Sequence, residues 1–170
     1  MNSLQDYTLR EKRFMEIITA HRNMISKICY MYANDDSHYK DLYQEVLANL
    51  WQGLGSYRGD SKISTWIYRA SINTCISFFR KYDRHSSENL PLDSAIEVSA
   101  DDTSNIEELK QMYRMISALG KLDKAIILMW LDEYSYDDIA EMTGITRSNV
   151  AIRLRRIKLR LIEQAKKSEI

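Results

Sequence analysis

Apolar residues recur three or four positions apart over most of this chain, and that spacing limits its fold more than any other feature. Such spacing places apolar side chains on one face of a helix, which must then pack against other helices. Five Gly and one Pro in 170 residues are also few for a β-sandwich or barrel with many tight turns. The sequence therefore predicts an all-α protein.

The helical spacing is lost between residues 83 and 105, which divides the chain in two. This segment contains the only proline, Pro91, with many Ser and Asp and no aromatic residue. Residues 83–108 include eight acidic residues and one base, a composition typical of a solvated linker. We predict a helical domain over residues 1–82, an acidic flexible linker over 83–105 and a second helical domain over 106–170.

Within these domains the apolar pattern predicts seven helices. In the first domain they cover about residues 14–32, 40–54 and 64–82, and in the second they begin near residues 106, 124, 136 and 147. The apolar stripe of the helix over 40–54 consists of Leu42, Val46, Leu50 and Leu54. Asp123, Ser135 and Thr146 are the predicted N-caps of the last three helices, because short polar side chains can accept hydrogen bonds from the first free backbone amides.

The sequence contains none of the common motifs of an enzyme active site. Cys29 and Cys75 are single cysteines on apolar helix faces, predicted to be reduced core thiols. We find no metal-ligand cluster, no Gly-rich phosphate loop and no plausible catalytic triad, so we predict no catalytic residue, metal or other cofactor. The polar first residues and the absence of a long apolar run predict a cytoplasmic protein that does not insert into membranes.

Residues 135–157 have the pattern of a helix-turn-helix, with Ala140, Gly144 and Val150 at its small, glycine and aliphatic positions. The helix that follows carries most of the basic residues: residues 145–167 hold eight bases and one acid. Projected at 100° per residue, Val150, Leu154, Ile157 and Leu161 form its core face. The residues predicted to face duplex DNA are Arg147, Ser148, Asn149, Ile152, Arg153, Arg155 and Arg156.

Two blocks of the first domain, DLYQEVLANLW (residues 41–51) and GSYRGDSKISTWIYRASINTCISFFRK (residues 55–81), resemble the second conserved region of extracytoplasmic-function (ECF) sigma factors. The helix-turn-helix and the residues before it, from Ala118 onward, are similar to the fourth region of the same family. The resemblance implies a bacterial initiation factor that binds core RNA polymerase at its clamp and flap regions and directs it to promoters.

The resemblance also implies roles for individual residues. Asp41, Gln44 and Glu45 lie where the family contacts the polymerase clamp. The loop after residue 55 and the next helix match the part that opens the minus-ten element, which needs aromatic, polar and basic groups to hold unpaired bases. The residues implied there are Tyr57, Arg58, Ser61, Lys62, Arg69, Asn73, Arg80 and Lys81. The family further implies contact with duplex and single-stranded promoter DNA, and an anti-sigma partner.

Not every residue in these blocks is expected to bind DNA. Trp66 lies among apolar residues and is predicted to be core, whereas Tyr68 is compatible with either role. Two other functions also stay open. A free-standing helix-turn-helix regulator would explain the second domain but not residues 41–81, and an adaptor would keep the fold without opening promoters. Because the 24 basic and 24 acidic residues balance, we expect the isolated protein to bind DNA weakly.

Overall fold

The computed structural model describes residues 2–82 and 106–168, and these residues form seven helices with no strand among them. In the first part of the chain the helices are α1 (Asn2–Tyr32), α2 (Asp36–Leu54) and α3 (Ile63–Tyr82). In the second part they are α4 (Ile106–Ser117), α5 (Lys121–Leu131), α6 (Tyr136–Thr143) and α7 (Arg147–Ser168). The predicted all-α class is confirmed, while the predicted linker, residues 83–105, lies outside the described residues.

The helices form two compact units, α1–α3 and α4–α7. In the first unit each helix packs against the other two, and α2 contributes the predicted stripe of Leu42, Val46, Leu50 and Leu54, all buried. Cys29 and Cys75 are buried inside this core and form no disulfide, as predicted. Other large side chains that are fully buried in this core are Ile25, Ile28, Met31, Tyr32, Ile67 and Tyr68.

In the second unit α5 is the central element. Residues Lys124–Met129 of α5 are all buried, and α5 packs against both α6 and α7. The apolar stripe of α7 predicted from the sequence faces this core, with Val150, Leu154 and Ile157 at most 2% exposed and Leu161 half-buried. Because this stripe is fixed inside the unit, the opposite face of α7 is held toward solvent.

Three helices begin several residues earlier than the sequence predicted, among them α5 at Lys121 instead of near residue 124. Helix α1 starts at Asn2 instead of near residue 14, and α2 starts at Asp36 because the side chain of Asp35 accepts a hydrogen bond from the His38 amide at 2.8 Å. The added turns of α1 lie against Trp51: the rings of Tyr7 and Phe14 meet it edge-on, with centroids 5.8 and 5.1 Å away. Within the added segment Tyr7 and Arg10 both contact Trp51, so tertiary contacts continue the helix through a polar stretch.

Candidate polymerase and promoter-DNA interfaces

The outer face of α2 carries the residues predicted to contact polymerase. Asp41 and Gln44 are exposed and Glu45 is half-buried, on the side of the helix away from the buried Leu42 and Val46. Their spacing of three and four residues places them on neighbouring turns of one face. The structure thus brings these three polar groups together on a rigid helix, as the sequence predicted, and their role in polymerase binding stays a prediction.

The loop between α2 and α3, residues 55–62, is closed by its own side chains. The hydroxyl of Tyr57 donates a hydrogen bond to the Ser61 carbonyl, and Gly59 has a φ of 81°, which a residue with a Cβ adopts only at a cost. The hydroxyl of Ser56 donates to the Gly53 carbonyl at 2.8 Å. Arg58, Ser61 and Lys62 are exposed, so the loop presents two basic side chains and a hydroxyl group from a turn of defined shape.

An aromatic pair joins this loop to α3. The ring centroids of Tyr57 and Trp66 are 5.4 Å apart, and both residues are half-buried. A Cβ added to Gly53 would lie 3.0 Å from the Trp66 ring, so the glycine allows Trp66 to pack closely on the end of α2. Trp66 packs against α2 but is only half-buried, so it is less buried than the prediction of a core residue implied. Tyr68, which the sequence left open, is fully buried and belongs to the core.

The face of α3 that follows the loop contains two of the predicted DNA contacts. Arg69 and Asn73 are both exposed and lie one turn apart on the same side of the helix. This arrangement continues the polar surface of the loop along α3. Arg80 and Lys81 lie in the last turn of α3, but their side chains fall outside the described part of the structure.

Helices α6 and α7 form the predicted helix-turn-helix, and local hydrogen bonds define its ends. Ser135 and Asp138 form a capping box at the start of α6, in which the Asp138 amide donates to the Ser135 hydroxyl at 3.1 Å. Gly144 ends α6 in the left-handed region, with a φ of 73°. The side chain of Thr146 then accepts a hydrogen bond from the Asn149 amide at 3.2 Å and caps α7. The predictions for Ser135, Gly144 and Thr146 are confirmed.

The outward face of α7 matches the projection made from the sequence. Ser148, Asn149, Ile152, Arg155 and Arg156 are all exposed, and Ile152 is 56% exposed although it is apolar. A rigid helix with hydroxyl, amide, aliphatic and guanidinium groups on one face has the chemistry needed to contact base edges and phosphates in a major groove.

Two arginines predicted for this surface have acidic partners within the protein. Arg153 donates a hydrogen bond from Nη1 to Oδ1 of Asp123 at 2.7 Å, and both side chains are partly buried. Arg147 lies 3.3 Å from Asp137, in an exposed pair. The prediction that Asp123 caps α5 is wrong, because α5 begins at Lys121 and Asp123 instead binds α7 from the first turn of α5.

Two further features of these surfaces were not predicted. Lys158 of α7 lies over the ring of Trp130 of α5, with its ammonium 3.6 Å from the centroid. Arg10 on α1 contacts both the ring and the carbonyl of Trp51. Each contact joins different helices, so no spacing along the sequence would have revealed it.

Within residues 2–82 and 106–168, no group of three or more His, Cys, Asp or Glu could hold a metal ion. In the same residues, no helix combines the length and apolar character that a membrane span requires.

Comparisons with known proteins assign both units. Residues 17–85 match the family model of Sigma-70 region 2, and residues 109–161 match that of Sigma-70, region 4. The ECF RNA polymerase sigma factor SigM of Mycobacterium tuberculosis is 25% identical over 149 residues, covering 87% of this chain and 74% of SigM. The ECF RNA polymerase sigma-E factor of Escherichia coli is 28% identical over 157 residues, covering 82% of each.

The fold agrees with these matches. The sigma factor RpoE, solved in complex with the anti-sigma factor NepR from Bartonella quintana, superposes with a TM-score of 0.74 at 20% identity, covering 91% of this chain and 98% of RpoE. CnrH, solved in complex with the cytosolic domain of CnrY, gives a TM-score of 0.64 at 16% identity, covering 92% and 90%. With both sigma regions present in the family's order, this chain belongs to the ECF sigma factors of RNA polymerase.

Proposed function

We propose that this sigma factor divides promoter recognition between its two units, with α1–α3 binding polymerase and opening the minus-ten element and α7 binding the minus-thirty-five duplex. The observation that carries the proposal is the exposure pattern of the two units. In each one the apolar stripe is buried, and the polar residues that match a sigma region lie on the opposite, solvent-facing side. The free-standing regulator is not favoured, because it gives the matched region 2 no role.

Polymerase binding is assigned to Asp41, Gln44 and Glu45. Two carboxylates and an amide on adjacent turns suit a basic partner helix, since opposite charges steer encounter and set orientation. Gln44→Arg cancels one of the two negative charges of this group and should weaken core binding about tenfold. Gln52→Arg is the matched control, because Gln52 is also exposed on α2. Fluorescence anisotropy of labelled full-length protein with core enzyme measures both, and equal loss in the two variants would contradict the assignment.

Promoter opening is assigned to the loop of residues 55–62 and the start of α3. Its exposed Arg58 and Lys62 suit phosphates, and the half-buried Tyr57–Trp66 pair offers aromatic surface to an unpaired base. Arg58→Ala should reduce open-complex formation while core binding stays unchanged. Arg22→Ala, an exposed arginine on α1, is the control. Fluorescence of 2-aminopurine placed in the minus-ten strand reports opening.

Duplex recognition is assigned to α7, with Ile152, Arg155 and Arg156 at its exposed face. A guanidinium can bind guanine with two hydrogen bonds, and an aliphatic side chain can contact a thymine methyl. Ile152→Asn should therefore alter which base is preferred at one position of the upstream element. Transcription from a library randomised at that element measures the preference, and an unchanged preference would show that Ile152 does not contact a base.

The whole proposal is tested by transcription in vitro with purified core polymerase on genomic fragments. Addition of this protein should create new mapped start sites, and failure to do so would refute the function. On this proposal the protein acts without an active site, in the cytoplasm where transcription occurs. Because RpoE was solved with an anti-sigma factor, we also propose an inhibitory protein partner, which should compete with core polymerase for this chain.

A further inference from the structure

The C-terminal end of α2 is bound by Arg10, which lies in the N-terminal third of α1. Nη2 of Arg10 donates a hydrogen bond to the Trp51 carbonyl at 2.8 Å. That carbonyl belongs to the last turn of α2, where backbone carbonyls lack partners further along the helix and the helix dipole is negative. The last turn of α2 contains no basic residue of its own, so Arg10 brings a positive charge to this terminus.

The guanidinium of Arg10 is itself held in place by Trp51. Its central carbon lies 4.7 Å from the centroid of the Trp51 ring. Tyr7 and Phe14, three residues before and four residues after Arg10, meet the same ring edge-on. Together the three residues of α1 surround one side chain of α2, which fixes the direction of the Arg10 donor.

Arg10 also lies against the first residue of the loop that follows α2. A Cβ added to Gly55 would be 3.4 Å from Nη2 and 3.7 Å from Cζ of Arg10. The next hydrogen bonds along the backbone run from the Ser56 amide to the Gly53 carbonyl, at 3.0 Å, and from the Tyr57 amide to the Leu54 carbonyl, at 3.3 Å. The contact with Arg10 therefore lies immediately before the bonds that turn the chain into the loop of residues 55–62.

From these contacts we infer that Arg10 is a positioning residue for promoter opening. It sets the path by which the chain leaves α2, and so the placement of Arg58, Ser61 and Lys62, without contacting DNA. The inference rests on the proposed function of the loop. Arginine suits this role because its planar group stacks on a ring and donates to a carbonyl at once, whereas the point charge of lysine satisfies only one of these contacts well.

The test uses the full-length protein with core polymerase on a promoter mapped with the wild-type chain. Arg10→Ala should slow opening about tenfold, because losing one hydrogen bond from a charged donor corresponds to a rate change of about that size. Because Arg10 contacts neither polymerase nor DNA on this inference, binding to core enzyme and to the closed promoter should stay within about twofold of wild type. Arg10→Lys should give an intermediate rate, and Arg13→Ala, at an exposed position on the same helix, should match wild type.

Two readouts separate positioning from a general loss of structure. A folding defect would reduce the amplitude of core binding and opening alike, whereas loss of positioning slows opening at full amplitude. Hydrogen exchange at residues 55–62 should also quicken in Arg10→Ala while exchange in the core of α3 stays slow. Wild-type opening rates in Arg10→Ala, or unchanged exchange in the loop, would overturn the inference. If the wild-type chain opens no promoter, the proposed function fails and the inference falls with it.

Discussion

The ion pair between Arg153 and Asp123 leads to a prediction that separates two roles for neighbouring arginines on α7. Arg153 points to α5, with a donor–acceptor distance of 2.7 Å, whereas Arg156, three residues later, is exposed. If the pair persists in the DNA complex, Arg153→Ala should destabilise the second unit and leave phosphate contacts intact. Arg156→Ala should remove a phosphate contact and leave the stability of the second unit unchanged.

The sizes of both effects follow from the geometry. The side chains of Arg153 and Asp123 are 38% and 28% exposed, so solvent screens the pair and its loss should cost about 1 kcal/mol. That is roughly a fivefold increase in the exchange rate of α5 and α7 amides that open together. Each phosphate contact contributes about 0.9 to the slope of log affinity against log salt, or about 3.5-fold in affinity between about 50 and 200 mM salt.

Two assays on the same proteins test the prediction. Hydrogen exchange of the full-length chain measures stability in α5 and α7, and the affinity of the polymerase holoenzyme for upstream duplex over a salt series measures the slope. Asp123→Ala should match Arg153→Ala in exchange, and the double variant should add little, since both changes remove one interaction. A reduced salt slope in Arg153→Ala without faster exchange would refute the reasoning and assign this arginine to DNA.

Three other changes test local structure. Gly144→Val should destabilise the second unit by about 1–2 kcal/mol, because a branched residue disfavours the observed φ of 73°; Gly144→Asn should cost less, and thermal unfolding compares them. Ser135→Ala removes the capping box and should cost about 1 kcal/mol, seen as faster exchange in α6. Burial lowers the pKa of His38, although Asp35 and Asp41 oppose the shift, so folding favours the neutral ring. Stability of the first unit should therefore fall as pH drops below about 6.5, and His38→Gln should remove that dependence in urea unfolding.

The sequence predicted best where one helix face is wholly apolar. The stripe Leu42, Val46 and Leu50 identified α2 and its buried side, and Val150 and Leu154 did the same for α7. Such stripes are set by residues within a single helix, so their spacing is enough to locate them. Helix starts were harder, since α1 begins a dozen residues early on a segment whose tertiary contacts, not its apolar content, stabilise the helix.

On the candidate surfaces, too, the sequence predicted what a single helix determines and missed what contacts between helices determine. The projection of α7 placed Asn149, Ile152 and Arg156 on the exposed face, because exposure follows from which side is buried. It could not show that Arg153 pairs with Asp123, since a charge at the edge of a stripe can turn to solvent or to a neighbouring helix. The side chain of Asp123 was assigned to its own helix terminus for the same reason: local capping is visible in sequence, while a partner 30 residues away is not.

These internal pairs bear on how the sigma factor finds DNA. Acidic residues of α5 and α6 lie beside two arginines of α7, Arg147 and Arg153, so the cationic charge available to phosphates is smaller than the count of bases indicates. Non-specific affinity depends on the number of phosphates neutralised, and lowering it keeps the isolated unit from binding duplex indiscriminately. The groups proposed to contact bases, such as Asn149 and Ile152, lose nothing by this. A surface of this kind would bind weakly alone and select its site once the polymerase holds it beside the promoter.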